Sequence, residues 1–249
     1  MTQISNNIYC SDFLLDIDVK TKLLPNPYYD YPYLIIKDFL SSHECDDINE
    51  KVKEDDDYQK AQVKIKDILI KSQTNEEIRK TNIYKLSEKY LEIYTNRFLQ
   101  HQAKIEDYFK LALTTSTKVQ VLEYLKDSFY AMHSDDSSML YKKEELIGFI
   151  AVAKQRKIST VLFTTSNDEQ ISDTTFTGGE LLFNFLCDKD GNEIKIKPKA
   201  GTMLVFLSNP YFTHEVLKVK QGRRISLVQW HNAIKKKKKA FFTIITQNN

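Results

Sequence analysis

The chain has 249 residues, 41% of them hydrophobic, and 36 Lys and Arg face 34 Asp and Glu for a net charge of +2. That length and apolar share suit a globular protein with a sizeable core, and the balanced charge excludes a global field that would draw it to nucleic acid or a membrane surface. Cys10, Cys45 and Cys187 are odd in number and lack CxxC spacing, which argues against a disulfide scaffold or a thiolate zinc site and fits a reducing cytoplasm. Met1 to Lys20 carries Asp12, Asp16 and Asp18 and has no leader pattern, and no segment reaches membrane-spanning length.

Along the chain, Tyr33–Ile36 after Pro32 reads as a strand, and Ser41–Glu44 as a capping box that opens a helix. A second capping box, Thr74–Glu77, is expected to open a helical stretch to about Leu113 with at least one break. Ile78, Leu86, Tyr90, Ile93 and Tyr94 recur there at near-helical spacing, so one face should pack on a sheet. No glycine precedes Gly148, whereas Gly148, Gly178, Gly179, Gly191, Gly201 and Gly222 all follow, and the pattern turns from helical to strand-like. Val119–Tyr124, Ile158–Phe163, Glu180–Phe185, Thr202–Leu207, Glu215–Val219 and Ile225–Trp230 are strand candidates, with turns at Asp188–Asn192 and Pro198–Gly201. Ser137–Arg156 interrupts them and reads as a partly helical excursion. Lys235–Lys239 reads as a solvated strand end, and Phe241–Ile245 as a final edge strand. The expected class is α+β: a double-stranded β-helix (jelly roll) core with N-terminal helices packed on one sheet.

His133 and Asp135, two apart on an extended chain, point to one side and can reach one ion. With His214 they make a set of two imidazoles and one carboxylate, suited to ferrous iron with open positions, although zinc accepts the same donors. A Gln221–Gly222 turn would put His214 and Arg224 on adjacent antiparallel strands facing one cavity, where Arg224 suits a carboxylate. His43 and His101 fall in the helical region and are expected to have surface or packing roles, and His231 should face away from the cavity.

Tyr124, Phe129, Tyr130, His133, Asp135, Thr177–Leu181, Pro198–Gly201, His214–Val216, Gly222, Arg224 and Trp230 together resemble the prolyl 4-hydroxylase-like branch of the 2-oxoglutarate/Fe(II) dioxygenases. The resemblance covers Val119 to Trp230 closely and Tyr33 to Asp47 loosely. It implies that His133, Asp135 and His214 bind Fe(II), that Arg224 pairs with the distal carboxylate of 2-oxoglutarate, and that Tyr124 hydrogen-bonds this cosubstrate. Thr164 falls near a position that donates to the same carboxylate, and Trp230 looks like the aromatic that closes the pocket. Where many relatives carry Pro-Gly after the tyrosine, this chain has Leu125-Lys126-Asp127. The implied reaction consumes O2 and 2-oxoglutarate, releases succinate and CO2, and hydroxylates an unactivated carbon, with ascorbate as an accessory reductant. Asp135 stands where related halogenases have a small residue, and Trp230 where nucleic-acid demethylases have a second arginine, so hydroxylation is preferred. The substrate would be a protein or peptide, with peptidyl proline favoured, or alternatively a free amino acid or other small molecule. A non-catalytic metal- or ligand-binding jelly roll is the remaining alternative. A single catalytic domain over 1–249 is expected, with a mainly helical support region over 1–117 and a jelly-roll core carrying the metal site over 118–249.

Overall fold

The computed structural model describes residues 1–17, 23–24, 26–54, 58–60 and 79–236. The expected Thr74–Glu77 cap, Ile78, Lys237–Lys239 and the Phe241–Ile245 strand lie outside these residues. In chain order the elements are β1 (Thr2–Gln3), β2 (Tyr9–Cys10), α1 (Phe13–Asp16), β3 (Leu34–Ile36), α2 (Ser42–Glu54), β4 (Gln59–Lys60), β5 (Asn82–Lys85) and α3 (Glu88–Phe109). They continue as β6 (Leu111–Ser116), β7 (Gln120–Tyr124), β8 (Tyr130–His133), β9 (Ser137–Lys142), β10 (Glu145–Ala151), β11 (Arg156–Phe163), β12 (Ser166–Asn167) and β13 (Thr175–Gly178). The last are β14 (Leu181–Cys187), β15 (Glu193–Ile196), β16 (Met203–Leu207), β17 (His214–Val216), β18 (Val219–Gly222) and β19 (Arg224–Lys235).

Two sheets form the jelly roll. The major sheet has eight strands in the order β3-β16-β11-β19-β7-β5-β4, with β6 also on β19, and the minor sheet has six in the order β1-β2-β14-β17-β8, with β15 on β14. Between them Phe183 of β14 meets Phe206 of β16 at 5.3 Å and Phe212 at 5.7 Å between ring centroids. All three rings are buried, each contributing roughly 2–3 kcal/mol by removal from water.

The outward face of the major sheet is covered by helices. The capping box at Ser41 forms as expected, with Glu44 accepting from the Ser41 amide at 2.8 Å while its own amide donates to the Ser41 hydroxyl. Glu44 also takes both arms of Arg97 at 2.7 Å, which ties α2 to α3. Tyr90, Tyr94, Phe98, Ile105 and Phe109 are the buried stripe of α3. Tyr94 reaches Thr160 of β11, and Phe98 stacks on His231 of β19 at 4.4 Å. No helix among the described residues is long and apolar enough to cross a membrane.

Several expectations are corrected. The stretch read as helix from Thr74 gives β5 over Asn82–Lys85 before α3 begins, because Ile83 and Tyr84 pair in register with Leu122 and Val121 of β7. The helix also ends at Phe109, where Lys110 turns the chain at φ 55°, and Leu111–Ser116 is strand. Ser137–Arg156 is not partly helical but a β-hairpin, β9 against β10, turned by Lys143 and Glu144 at positive φ. Glu215–Val219 is two strands in different sheets. Besides its helices, the region before residue 117 gives strands to both sheets: β1 and β2 extend the minor sheet, and β3, β4, β5 and β6 belong to the major one.

Candidate active site

β8 and β17 are antiparallel neighbours in the minor sheet, and their register sets His133 opposite His214 with ring centroids 4.3 Å apart. Asp135 lies past the end of β8, in a bend rather than on an extended strand. That bend is held by the Asp136 amide donating to Ser208 O at 3.0 Å and by the Val152 and Ala153 amides donating to Asp136 O. It returns the Asp135 carboxylate to the imidazoles, with Oδ1 3.8 Å from His133 Nε2. One ligand atom from each of His133, Asp135 and His214 lies within 4.8 Å of the others, close enough to share an ion.

The donor chemistry fits a divalent metal. His133 Nδ1 is 2.9 Å from Ala131 O and His214 Nδ1 is 2.9 Å from Phe212 O. A carbonyl only accepts, so each Nδ1 carries the proton and each Nε2 keeps its lone pair for a ligand. Burial, reinforced by His214, lowers the pKa of His133 to about 3, so the ring stays neutral as ligation requires. Burial alone would raise that of Asp135, but the two imidazoles and the Ser159 hydroxyl hold it below the usual carboxylate range. The Trp230 indole favours the ionised form too, although its buried N–H makes no hydrogen bond of normal geometry.

Arg224 enters from the other sheet. His214 is on β17 and Arg224 on β19, so the two are not on adjacent strands as expected but face each other's sheets across the barrel, with β18 between them in sequence. Arg224 is 1% exposed. Nε donates to Gly179 O at 2.9 Å and Nη1 to Ser226 Oγ at 3.0 Å, while Nη2 has no acceptor among the described residues. Nor does any described carboxylate pair with it, and burial pulls its pKa below the ordinary arginine value. The guanidinium sits 4.8 Å from the Tyr124 ring centre and 5.5 Å from that of Phe163. Gly179 is at φ +64°, and a Cβ there would meet Arg224 Cδ at 3.0 Å, so the absence of a side chain at this position gives the arginine its room.

Of the residues singled out from sequence, His133, Asp135 and His214 converge, Tyr124 stacks under Arg224, and Trp230 faces inward opposite Ser159. Thr164 does not join them. It is buried in the bend one residue past β11, its hydroxyl donating to Ile225 O and its carbonyl accepting from Asn49 of α2, and Phe163 is the neighbour that reaches Arg224. His231 is turned away from the cavity as expected, His101 packs on Phe39, and the side chain of His43 is exposed.

Some neighbours carried no assigned role in the sequence reading. Tyr130 stacks on His133 at 3.6 Å, and Arg79 lies 4.5 Å over the Tyr130 ring. Arg156 covers Trp230 at 4.5 Å and donates to Asp135 O at 3.2 Å. Burial raises the Tyr130 pKa to about 12, with Arg79 and Arg156 opposing the rise. Strict alternation along β11 would have turned Ser159 and Phe163 inward, whereas nothing near Arg79 in sequence marks it.

Residues 119–232 match the sequence profile of the 2OG-Fe(II) oxygenase superfamily. This stretch of the chain belongs to that superfamily. The matched stretch is accordingly a 2-oxoglutarate- and Fe(II)-dependent oxygenase domain, of a superfamily that takes Fe(II), 2-oxoglutarate and O2, and within it His133, Asp135 and His214 are the residues that could form the iron site. Among solved structures, a prolyl-4-hydroxylase from Pseudomonas putida is 22% identical, with a TM-score of 0.53 over 81% of this chain and 92% of that one. A prolyl hydroxylase from Trichoplax adhaerens, in complex with a hypoxia inducible factor oxygen degradation domain peptide fragment, is 17% identical with a TM-score of 0.59 over 81% and 83%. The 2-oxoglutarate complex of a viral collagen prolyl hydroxylase from Paramecium Bursaria Chlorella virus-1 is 20% identical with a TM-score of 0.54 over 82% and 97%. At these identities the likeness is one of fold. No curated protein matches the chain in sequence.

Proposed function

We propose that the protein hydroxylates an unactivated carbon of a protein, peptide or small-molecule substrate, converting 2-oxoglutarate to succinate and CO2 as it does so. The observation that carries this is Arg224: a nearly inaccessible guanidinium with a spare Nη2 and no described carboxylate, on the inner wall of the same barrel as His133, Asp135 and His214. An isolated buried charge is costly, so a cation kept in this state is explained by an anionic ligand that completes it.

In this reading His133 and His214 supply Nε2, and Asp135 a carboxylate oxygen, to the ferrous ion, which when bound supplies the redox chemistry for using O2. Arg224 binds the distal carboxylate of 2-oxoglutarate, and Tyr124 beneath it hydrogen-bonds the same cosubstrate. Phe163 takes the wall position anticipated for Thr164, and Trp230 closes the pocket beside Asp135. Phe163, Phe206 and Phe212 keep water from the inner wall. The whole chain acts as one catalytic domain, supported by the strands that its N-terminal half gives to both sheets. Three free thiols support a cytoplasmic setting.

Peptidyl proline is the first acceptor to try, since the Trichoplax relative was solved with a peptide. The test is succinate formation with Fe(II), 2-oxoglutarate and O2 across prolyl peptides and free amino acids. Acceptor-stimulated, O2-dependent succinate with a matching gain of one oxygen in the acceptor is expected. Metal and 2-oxoglutarate binding without any succinate would instead make this a ligand-binding jelly roll.

A further inference from the structure

Ser159 lies in mid-β11 on the inward face, fully buried, opposite Trp230 across the β11–β19 pair. Its hydroxyl donates to Asp135 Oδ2 at 2.6 Å and lies 2.8 Å from the hydroxyl of Ser208, itself 1% exposed. The Ser159 hydroxyl has one proton. An ionised carboxylate can only accept, so that proton goes to Asp135, and Ser208 must be the donor to Ser159. Ser208 is anchored in turn, its amide donating to Lys157 O at 3.0 Å and its carbonyl accepting from the Asp136 amide at 3.0 Å and the Ser134 hydroxyl at 3.2 Å. Two strands of the major sheet therefore grip the bend of the minor sheet that carries Asp135, at its backbone and at one carboxylate oxygen.

We propose that Ser159, oriented by Ser208, is a positioning residue that keeps Asp135 bound to the metal through one oxygen only. This rests on the reading of His133, Asp135 and His214 as the ferrous site. A carboxylate offers two oxygens of equal basicity and can bind a divalent ion through one or both, so a donor that occupies one of them favours binding through the other. Oδ1 is the oxygen facing His133 Nε2, and Oδ2 is the one held by Ser159. The hydrogen bond is short and charge-assisted, the kind that competes with a metal for an oxygen. About three positions of a six-coordinate ion remain after three protein ligands, and a keto acid plus O2 needs all of them. Release of Oδ2 would close one.

The readout does not depend on turnover. Water-proton relaxation of Mn(II) bound to the otherwise metal-free protein counts the exchangeable waters on the ion. Wild type is expected to carry about three, Ser159→Ala about two, and Ser159→Thr, which keeps the hydroxyl, about three again. Ser208→Ala leaves the donor to Asp135 but not its orientation, and should fall between; it also stands in for Ser159→Ala if that chain does not fold. With Fe(II), 2-oxoglutarate turnover of Ser159→Ala should drop roughly 10- to 100-fold. An unchanged water count in Ser159→Ala, or in Ser208→Ala where that is the variant that folds, overturns the proposal while leaving the ferrous site standing. Wild type that binds no Mn(II) and no Fe(II) would remove that site and this inference with it.

Discussion

On the outward face of the major sheet His231 bonds to Ser116 and Thr160 and stacks on Phe98, and the neighbouring Arg223 pairs with buried Glu123. On the inward face of the same β19, Arg224 has no carboxylate among the described residues, and across the barrel His133 and His214 each hold a free Nε2. Both faces carry a buried histidine and an arginine. Outside, the protein's own residues engage both ring nitrogens of His231 and the Nε and Nη2 of Arg223, and these groups contribute to stability; inside, the described residues partner the atoms that set orientation and none accepts from Arg224 Nη2. The difference marks function more sharply than burial does.

Substitutions can break this contrast. The largest effect is expected from His133→Ala or Asp135→Ala, which should take 2-oxoglutarate turnover to background with the fold retained by circular dichroism; turnover surviving in either would reject the ligand set. Asp136 beside them is buried and tied to Ser137, so its replacement should register in stability.

Next is an effect of pH. Burial lowers the His231 pKa to about 4 from 6.5, so the folded protein holds the neutral ring while the unfolded chain takes up a proton. Stability tied to this group is therefore complete above pH 6.5 and lost as pH falls toward 4, by about 3 kcal/mol in all. His133 adds to the same slope in metal-free protein. His231→Gln should flatten the acid limb of a urea-denaturation series by about one proton without touching succinate formation. A limb of unchanged steepness would show that His231 does not titrate as its burial implies.

Arg223→Ala should cost less, about 1–3 kcal/mol, because Glu123 loses its cation but keeps Asn82 and Tyr84 and the arginine is partly exposed. Thermal melting would show it, and 2-oxoglutarate affinity should not move. Weaker 2-oxoglutarate binding in this variant would erase the distinction between the two faces.

Much of the inward face was legible in sequence because ligand chemistry restricts residue type: only a few side chains can serve at 133, 135, 214 and 224, and each stood within a short recognisable block. The placement of Thr164 failed by one residue, since β11 ends at Phe163 beside Arg224 and the chain bends at Thr164. β5 was hidden in a helix-prone, glycine-free stretch because its strand state is set by pairing with β7, a partner far along the chain. The Ser137–Arg156 hairpin was obscured by mixed charge and by turn residues, Lys143 and Glu144, that rarely adopt positive φ. Arg79 reaches Tyr130 only through tertiary folding, and no local pattern announces it.

The most direct test of the contrast is calorimetric titration of 2-oxoglutarate into anaerobic, Fe(II)-loaded wild type and Arg224→Met. Loss of a buried charge-assisted pair worth about 2–5 kcal/mol should weaken binding roughly 30-fold to several-thousand-fold, with metal content unchanged. Equal affinity in the two proteins would mean that the inward arginine does not hold the cosubstrate, and the account of this face would be wrong.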